Sequence, residues 1–279
     1  MKAQELIRAG SNFLKANKIP TYIIDSELLL SNILNKSREE ILVNLNQNVN
    51  DKNVLTFKEY LLRRSKNEPI AYILNEKEFW SKRFVVNQDT LIPRPETELL
   101  VENLIKTFKN KQISILDIGT GSGCIIISLL INLKRSNGIG VDISRNAISM
   151  AKMNARKHNL FNRVKFFIQS FENISNKKFD LIVSNPPYIR KKDIKNLSDD
   201  IKRYEPLVAL DGGNDGLDLI KKVIYKSKEI LKINGMLALE IGNGQIKKVS
   251  KILIDNNFRI KLVIKDYKDN IRCVLAINK

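Results

Sequence analysis

The sequence predicts an α/β protein: a seven-stranded, mostly parallel sheet ending in an antiparallel hairpin, preceded by a small bundle of helices. Three observations predict it. Apolar residues recur at helical spacing through residues 2–75; strand-like and helix-like segments then alternate from Lys111 onward; and the last two strand-like segments are separated only by the polar stretch Lys265–Asn270. Alternation implies parallel strands, because a helix carries the chain back to the starting edge of the sheet. A connection as short as the last one cannot hold such a helix, so that final pair runs antiparallel.

In the amino-terminal part, Leu6, Ile7, Phe13 and Leu14 mark one helix and Ile24, Leu28, Leu29 and Ile33 a second. Ser37 with Glu40 forms a capping box before Ile41 and Leu42, and Asp51 is expected to cap a fourth helix carrying Val54, Leu55, Leu61 and Leu62. From Glu78 to Asn87 the pattern becomes Phe79-Trp80 and then Phe84-Val85-Val86, which suits a short hairpin. Thr90-Leu-Ile-Pro-Arg-Pro-Glu-Thr-Glu98 follows, with Pro95 fit for a first helical turn and Glu96 and Glu98 at its positive end. Capping alone does not require Arg94 between two prolines. The expected domains are therefore 1–75 (helical), 76–90 (a hairpin linker) and 91–279 (α/β).

Within the α/β part, strands are expected at Ile113–Ile118, Ile139–Asp142, Val164–Gln169, a run ending at Ser184, Met236–Ile241, Phe258–Ile264 and Ile271–Ile277. Helices are expected from Gly123, from about Ser144, and around Asp215–Leu231.

The chain has 279 residues and a formal net charge of +18, from 48 Lys+Arg against 30 Asp+Glu. Such a balance suits an anionic partner such as RNA or DNA. The lysines, however, are scattered, as in Lys106–Gln112 and Lys191–Asn196, and read as a solvated surface with no stable nucleic-acid partner. Cys124 and Cys273 are too few for a disulfide framework, which points to the cytoplasm. Residues 1–10 lack a signal-peptide core, and the longest apolar run, Cys124–Leu133, is too short to span a bilayer, so no membrane partner is expected. The lone His158, on a Lys-rich helix, reads as a surface residue.

Chemistry concentrates at two strand ends. Leu116-Asp-Ile-Gly-Thr-Gly-Ser-Gly123 lies where a strand turns into a helix, and Asp142 ends the next strand, where a carboxylate can accept hydrogen bonds from a ribose diol. Together they describe a pocket for an adenosine-containing cofactor. A dinucleotide dehydrogenase fits less well, because its fingerprint spaces the last two glycines three apart and Gly119-x-Gly121-x-Gly123 spaces them two apart. The second strand end is Ser184-Asn185-Pro186-Pro187-Tyr188. Its prolines remove two backbone donors and hold the chain extended, so an amide side chain and bare carbonyls are presented, suited to holding an NH2 group.

With these motifs at one crevice, the chain resembles the S-adenosylmethionine-dependent methyltransferases that modify planar NH2 groups. Glu78-Phe-Trp-Ser81, Leu91-Ile-Pro-Arg-Pro-Glu-Thr-Glu98, Ile118-Gly-Thr-Gly-Ser-Gly123, Ser184-Asn-Pro-Pro-Tyr-Ile189 and Tyr204-Glu-Pro-Leu207 occur in the order seen in bacterial peptide chain release factor glutamine methyltransferases, the PrmC or HemK family. The resemblance implies a class I methyltransferase fold, S-adenosyl-L-methionine as methyl donor, and methylation of the glutamine amide in the Gly-Gly-Gln motif of class I release factors by a monomeric cytoplasmic enzyme. It further implies that Gly119, Thr120, Gly121, Ser122, Gly123, Asp142, Phe171 and Asn185 bind the cofactor. Asn185, Pro186, Pro187 and Tyr188 hold the acceptor, with Asn185, Pro186 and Tyr188 catalytic and no metal required. On this resemblance the helical domain docks the protein substrate. After the third core strand the chain is shorter than is common in the family and reads Gln169-Ser-Phe-Glu-Asn173, where Phe171 is the expected adenine stack and Glu172 a weaker contact. Two alternatives remain: an adenine or guanine methyltransferase acting on nucleic acid, and a cofactor-binding regulator without catalysis.

Overall fold

The structure, a computed structural model, describes residues 1–175 and 177–279. It divides into two compact units, Met1–Glu76 with Ser198–Tyr204, and Lys77–Leu197 with Glu205–Lys279.

The first unit is built from α1 (Ala3–Ala16), α2 (Tyr22–Leu34), α3 (Arg38–Val43), α4 (Asp51–Ser65) and the single turn α5 (Ile70–Ile73). Its core gathers Leu6, Leu14, Leu29, Leu30, Ile41 and Phe57. The Ser37–Glu40 capping box forms as expected. The fourth helix is capped differently: Asn50, not Asp51, is outside the helix with extended backbone, and its side-chain oxygen accepts from the Asn53 amide at 2.8 Å. Asp51 instead begins the helix. Asn50→Ala is expected to destabilise this unit by about 1 kcal/mol, measured by thermal or denaturant unfolding.

α2 buries Leu29 and packs Ile33 against the core as its apolar spacing predicts, but its first turn departs from that stripe. Ile24 is 48% exposed, whereas Asp25 is 3% exposed. The cause is an ion pair: Asp25 Oδ2 accepts from Arg64 Nε at 2.7 Å, and a buried carboxylate with that partner can take a place periodicity assigns to an apolar residue.

The second unit opens, from Lys77, on a hairpin of β1 (Glu76–Phe79) and β2 (Lys82–Val85). Its turn residues Trp80 and Ser81 both adopt φ of 52°, and Glu98 accepts the Trp80 amide at 2.9 Å. There follow α6 (Pro95–Phe108), β3 (Ser114–Ile118), α7 (Cys124–Asn132), β4 (Asn137–Asp142), α8 (Arg145–Lys157), β5 (Val164–Ile168) and β6 (Phe179–Ser184). The short α9 (Asp199–Tyr204) belongs to the first unit, where the Tyr204 hydroxyl donates to the Lys66 carbonyl at 3.1 Å. The second unit resumes with α10 (Asp218–Ile230), β7 (Leu231–Glu240), α11 (Ile246–Asp255), β8 (Phe258–Lys265) and β9 (Ile271–Asn278).

The sheet has the order β5-β4-β3-β6-β7-β9-β8, parallel as far as β7, with β9 antiparallel to both of its neighbours. The expected fold class therefore holds: a seven-stranded, mostly parallel sheet with an antiparallel carboxyl-terminal hairpin. α6, α7 and α8 cover one face through residues such as Leu104, Ile126 and Ala151, and α10 and α11 cover the other through Ile224 and Leu253. α11 was not anticipated, although Val249 and Leu253 carry its buried stripe. This topology places the site. The chain leaves β3 towards β4 and β5, then returns to the opposite side of β3 as β6, so a crevice opens where the carboxyl ends of β3 and β6 diverge.

Candidate active site

Beyond β3, the backbone turns through Gly119 at φ +68° and Gly121 at φ +54°, a region that favours glycine. A Cβ added at either position would meet nothing within 4 Å, so the main chain lies open to whatever fills the crevice. The Gly119 and Thr120 amides donate to the Val141 carbonyl at 2.9 and 3.0 Å, tying this loop to the end of β4. At the end of β4, Asp142 accepts from the Gly121 amide through Oδ2 at 3.0 Å and from the Ser144 amide through Oδ1 at 2.9 Å. Its carboxylate is thus fixed in place, and each oxygen keeps a lone pair for a ligand. Beneath the loop, Asp117 accepts from the Thr120 hydroxyl at 2.7 Å; burial pushes its carboxyl up to about 7, with that hydrogen bond opposing the shift.

Beyond β6, Ser184 donates through its hydroxyl to the Ile118 carbonyl at 2.8 Å and pins the strand end to β3. The Asn185 side-chain nitrogen donates to Thr97 Oγ1 at 3.4 Å. Thr97 donates in turn to Glu240 Oε2 at 2.6 Å, and the Tyr188 hydroxyl donates to Glu240 Oε1 at 3.2 Å. Glu240 is 1% exposed, and burial pushes its carboxyl up to about 6 against the two hydroxyl donors.

Arg94 finds its reason here. Its guanidinium bonds Glu205 Oε1 at 2.5 Å while the Ile92 amide donates to Glu205 Oε2 at 3.2 Å. One buried carboxylate therefore joins the Ile-Pro-Arg-Pro turn to the segment that starts at Glu205, and both line the crevice through Pro93, Arg94, Pro206 and Val208.

The crevice encloses about 410 Å³, within the range of small-molecule sites. Of the residues singled out from the sequence, Gly119, Thr120, Gly121, Ser122, Asp142, Phe171, Asn185, Pro186 and Pro187 line it. Gly123 stands outside the lining: at φ +79° it begins α7, and a Cβ there would meet Ile127 at 3.0 Å and Ala151 at 3.3 Å. Tyr188 lines a neighbouring depression of about 560 Å³ together with Arg190 and Gln245, and Gln245 Nε2 donates to its carbonyl at 3.0 Å. Phe171 is 7% exposed, with most of its ring in the core under α10, and Glu172 pairs with Lys222 at 3.3 Å at the rim.

Sequence reasoning missed several lining residues. Ile143 is 64% exposed beside Asp142 and offers an apolar face that no core contact accounts for. An apolar residue directly after the acidic strand end was the available signal. Thr97 lies in the Leu91–Glu98 motif but was given no role of its own, and Glu240, outside the lining, carries no local signal beyond ending a strand. His158 proves half-buried: its Nε2 is 3.1 Å from the Arg83 carbonyl, and its ring packs tilted on Phe84 at 5.0 Å. Among the described residues no cluster of three His, Cys, Asp or Glu side chains is placed to hold a metal ion.

The residues fit an adenosine-containing methyl donor on three grounds: an open glycine backbone, a fixed carboxylate at the neighbouring strand end, and apolar surface beside it.

Comparison with known proteins agrees with this geometry. Residues 5–74 match the family described as PrmC N-terminal domain, and residues 94–201 match the methyltransferase small domain. The chain is 37% identical to the release factor glutamine methyltransferase of Clostridium acetobutylicum over 99% of each chain. It is 43% identical to the protein of that name from Buchnera aphidicola, over 90% of each. It is also 37% identical to a bifunctional methyltransferase of Rickettsia conorii and spans about half of that longer protein, covering 53% of it. A crystal structure of ribosomal protein L11 methylase from Lactobacillus delbrueckii shares the fold at TM-score 0.52 and 20% identity, over 70% of this chain and 84% of that one. With both domain matches and full-length relatives agreeing, the chain belongs to the release factor glutamine methyltransferase family.

Proposed function

We propose that the chain transfers a methyl group from S-adenosyl-L-methionine to the side-chain amide nitrogen of the glutamine in the Gly-Gly-Gln motif of class I peptide chain release factors. The observation that carries this reading is the placement of Asn185. Its amino group is engaged by Thr97, leaving its carbonyl oxygen to face an incoming NH2 group next to the open Gly119–Gly121 backbone.

An amide nitrogen is a weak nucleophile because its lone pair is delocalised, so position and hydrogen bonding must do much of the work. When bound, the cofactor would supply an electrophilic methyl on a sulfonium; the amide nitrogen would take the methyl as its bond to sulfur breaks to a neutral thioether, and would then give up one N–H proton to solvent. Asn185 Oδ1 and the Pro186 carbonyl accept the two N–H groups of the acceptor, and these bonds strengthen as positive charge develops on nitrogen. Pro186 and Pro187 hold both acceptors on a stiff, donor-free backbone. Tyr188 offers its ring to the acceptor from the neighbouring depression, so the acceptor enters past Tyr188 while the cofactor takes the glycine side. On this reading Asp142 holds the ribose, and Ile143 joins Phe171 as apolar surface for the adenine. The domain limits 1–75, 76–90 and 91–279 are retained as the working division, with the helical domain docking the release factor in the cytoplasm. No helix among the described residues is long and apolar enough to cross a membrane.

The purified chain, given labelled S-adenosylmethionine, is expected to label a nuclease-treated release factor and to leave a release factor with the Gly-Gly-Gln glutamine replaced by alanine unlabelled. Labelling of protein-free DNA or RNA instead would favour the amino-group methyltransferase of nucleic acids, a reading the +18 net charge keeps open.

A further inference from the structure

We propose that Glu240 is a positioning residue that sets which way Asn185 faces, by taking the single proton of Thr97 so that Thr97 can only accept from the Asn185 amino group. This rests on the methyl-transfer reading of the same site.

The argument is one of proton count. An ionised carboxylate only accepts, and a hydroxyl has one proton to give. Thr97 gives its proton to Glu240 Oε2 at 2.6 Å, so its oxygen meets Asn185 as an acceptor, and Asn185 must present nitrogen there at 3.4 Å. The Asn185 oxygen is then left for the acceptor amide. Tyr188 spends its proton on the other oxygen of the same carboxylate at 3.2 Å, so one buried group orients both the amide and the ring of the Asn-Pro-Pro-Tyr segment. Thr97 and Glu240 are buried, at 2% and 1% exposed, and little water can substitute for either partner.

Protonation reverses the chain. A neutral Glu240 can donate to Thr97, which frees the Thr97 proton for the Asn185 oxygen and turns the Asn185 amino group towards the acceptor's own NH2. Burial holds the Glu240 carboxyl up at about 6, so the competent orientation is lost as pH falls through that value. The groups around it can be told apart. Glu96 on α6 raises Glu240 further, whereas Arg272 on β9 lowers it but is itself bonded to Asp266 at 2.8 Å. Tyr188, Cys273 on β9 and Cys124 at the start of α7 are all pushed upward by burial and stay neutral across this range. Asp117, held up at about 7 below the glycine loop, makes no hydrogen bond to this chain of side chains and titrates separately.

The test compares the wild type with Glu240→Gln, which keeps the shape and removes the charge. Methyl transfer to a release factor is followed from pH 5 to 8.5, cofactor affinity is measured by calorimetry, and the Asn185 side-chain NH2 signal is followed by 15N NMR. Glu240→Gln is expected to lower kcat by about tenfold at pH 8, as the competent orientation falls to about a tenth of the molecules. It should also erase the inflection near 6 in both the rate and the NMR signal, and leave cofactor affinity within about twofold. Thr97→Val should lower kcat similarly and Thr97→Ser restore most of it. An inflection near 6 that survives in Glu240→Gln, or a Thr97→Val enzyme with the wild-type kcat, overturns the proposal. The NMR titration needs no acceptor: if it behaves as expected while the wild type fails to label a release factor, the relay stands and the substrate reading falls.

Discussion

Asn185→Ala is expected to lower kcat for methyl transfer by about 10²–10³-fold, the loss that follows removal of one preorganised hydrogen-bonding group facing developing charge. The variant keeps the cofactor side of the crevice, because the open backbone at Gly119 and Gly121 and the carboxylate of Asp142 are held by bonds that do not pass through Asn185. Its affinity for S-adenosylmethionine should therefore stay within about threefold, since a change confined to transition-state contacts leaves ground-state cofactor binding alone. Single-turnover transfer of labelled methyl, with calorimetry of the cofactor, separates the two quantities. Transfer at the wild-type rate would remove Asn185 from the catalytic role.

Asp142→Ala should fail at the opposite step. Two hydrogen bonds from ribose hydroxyls to a carboxylate, at about 1.5–3 kcal/mol each, amount to a rise in the cofactor dissociation constant of at least about 10²–10³-fold. The same substitution strips the acceptors from the Gly121 and Ser144 amides, so the glycine loop loses one of its ties to β4 and keeps those to the Val141 carbonyl. At saturating cofactor, kcat should fall by no more than about fivefold, because the acceptor's own contacts remain. Titration calorimetry decides it, and an unchanged dissociation constant would take Asp142 out of the ribose site.

Much of the site was legible because its signals are local. The spacing of Gly119, Gly121 and Asp142, and the two prolines after Asn185, each constrain backbone within a few residues. Local reading went astray where a partner lay far along the chain. Asp25 is buried because Arg64 meets it, and apolar spacing in α2 contains no trace of that ion pair. Gly123 shares the left-handed backbone of the open-loop glycines, at φ +79°, but faces Ile127 and Ala151 and not open space. Tyr188 follows Asn185 so closely that they read as one unit, yet the two residues line different depressions and meet through Glu240.

The sequence by itself determined the fold class, the antiparallel end of the sheet and the two strand ends that line the crevice, because each depends on periodicity or on the restricted backbone of Gly and Pro. Only the tertiary structure decided what orients Asn185. Thr97 stands 88 residues before it and 143 residues before Glu240, and no local rule links a helix start, a strand end and a proline turn. They are joined only when the first turn of α6 meets the residues that end β7 and follow β6, where the buried Glu240 carboxylate, with no cation bonded to it among the described residues, takes its hydrogen bonds from the hydroxyls that the fold brings to it.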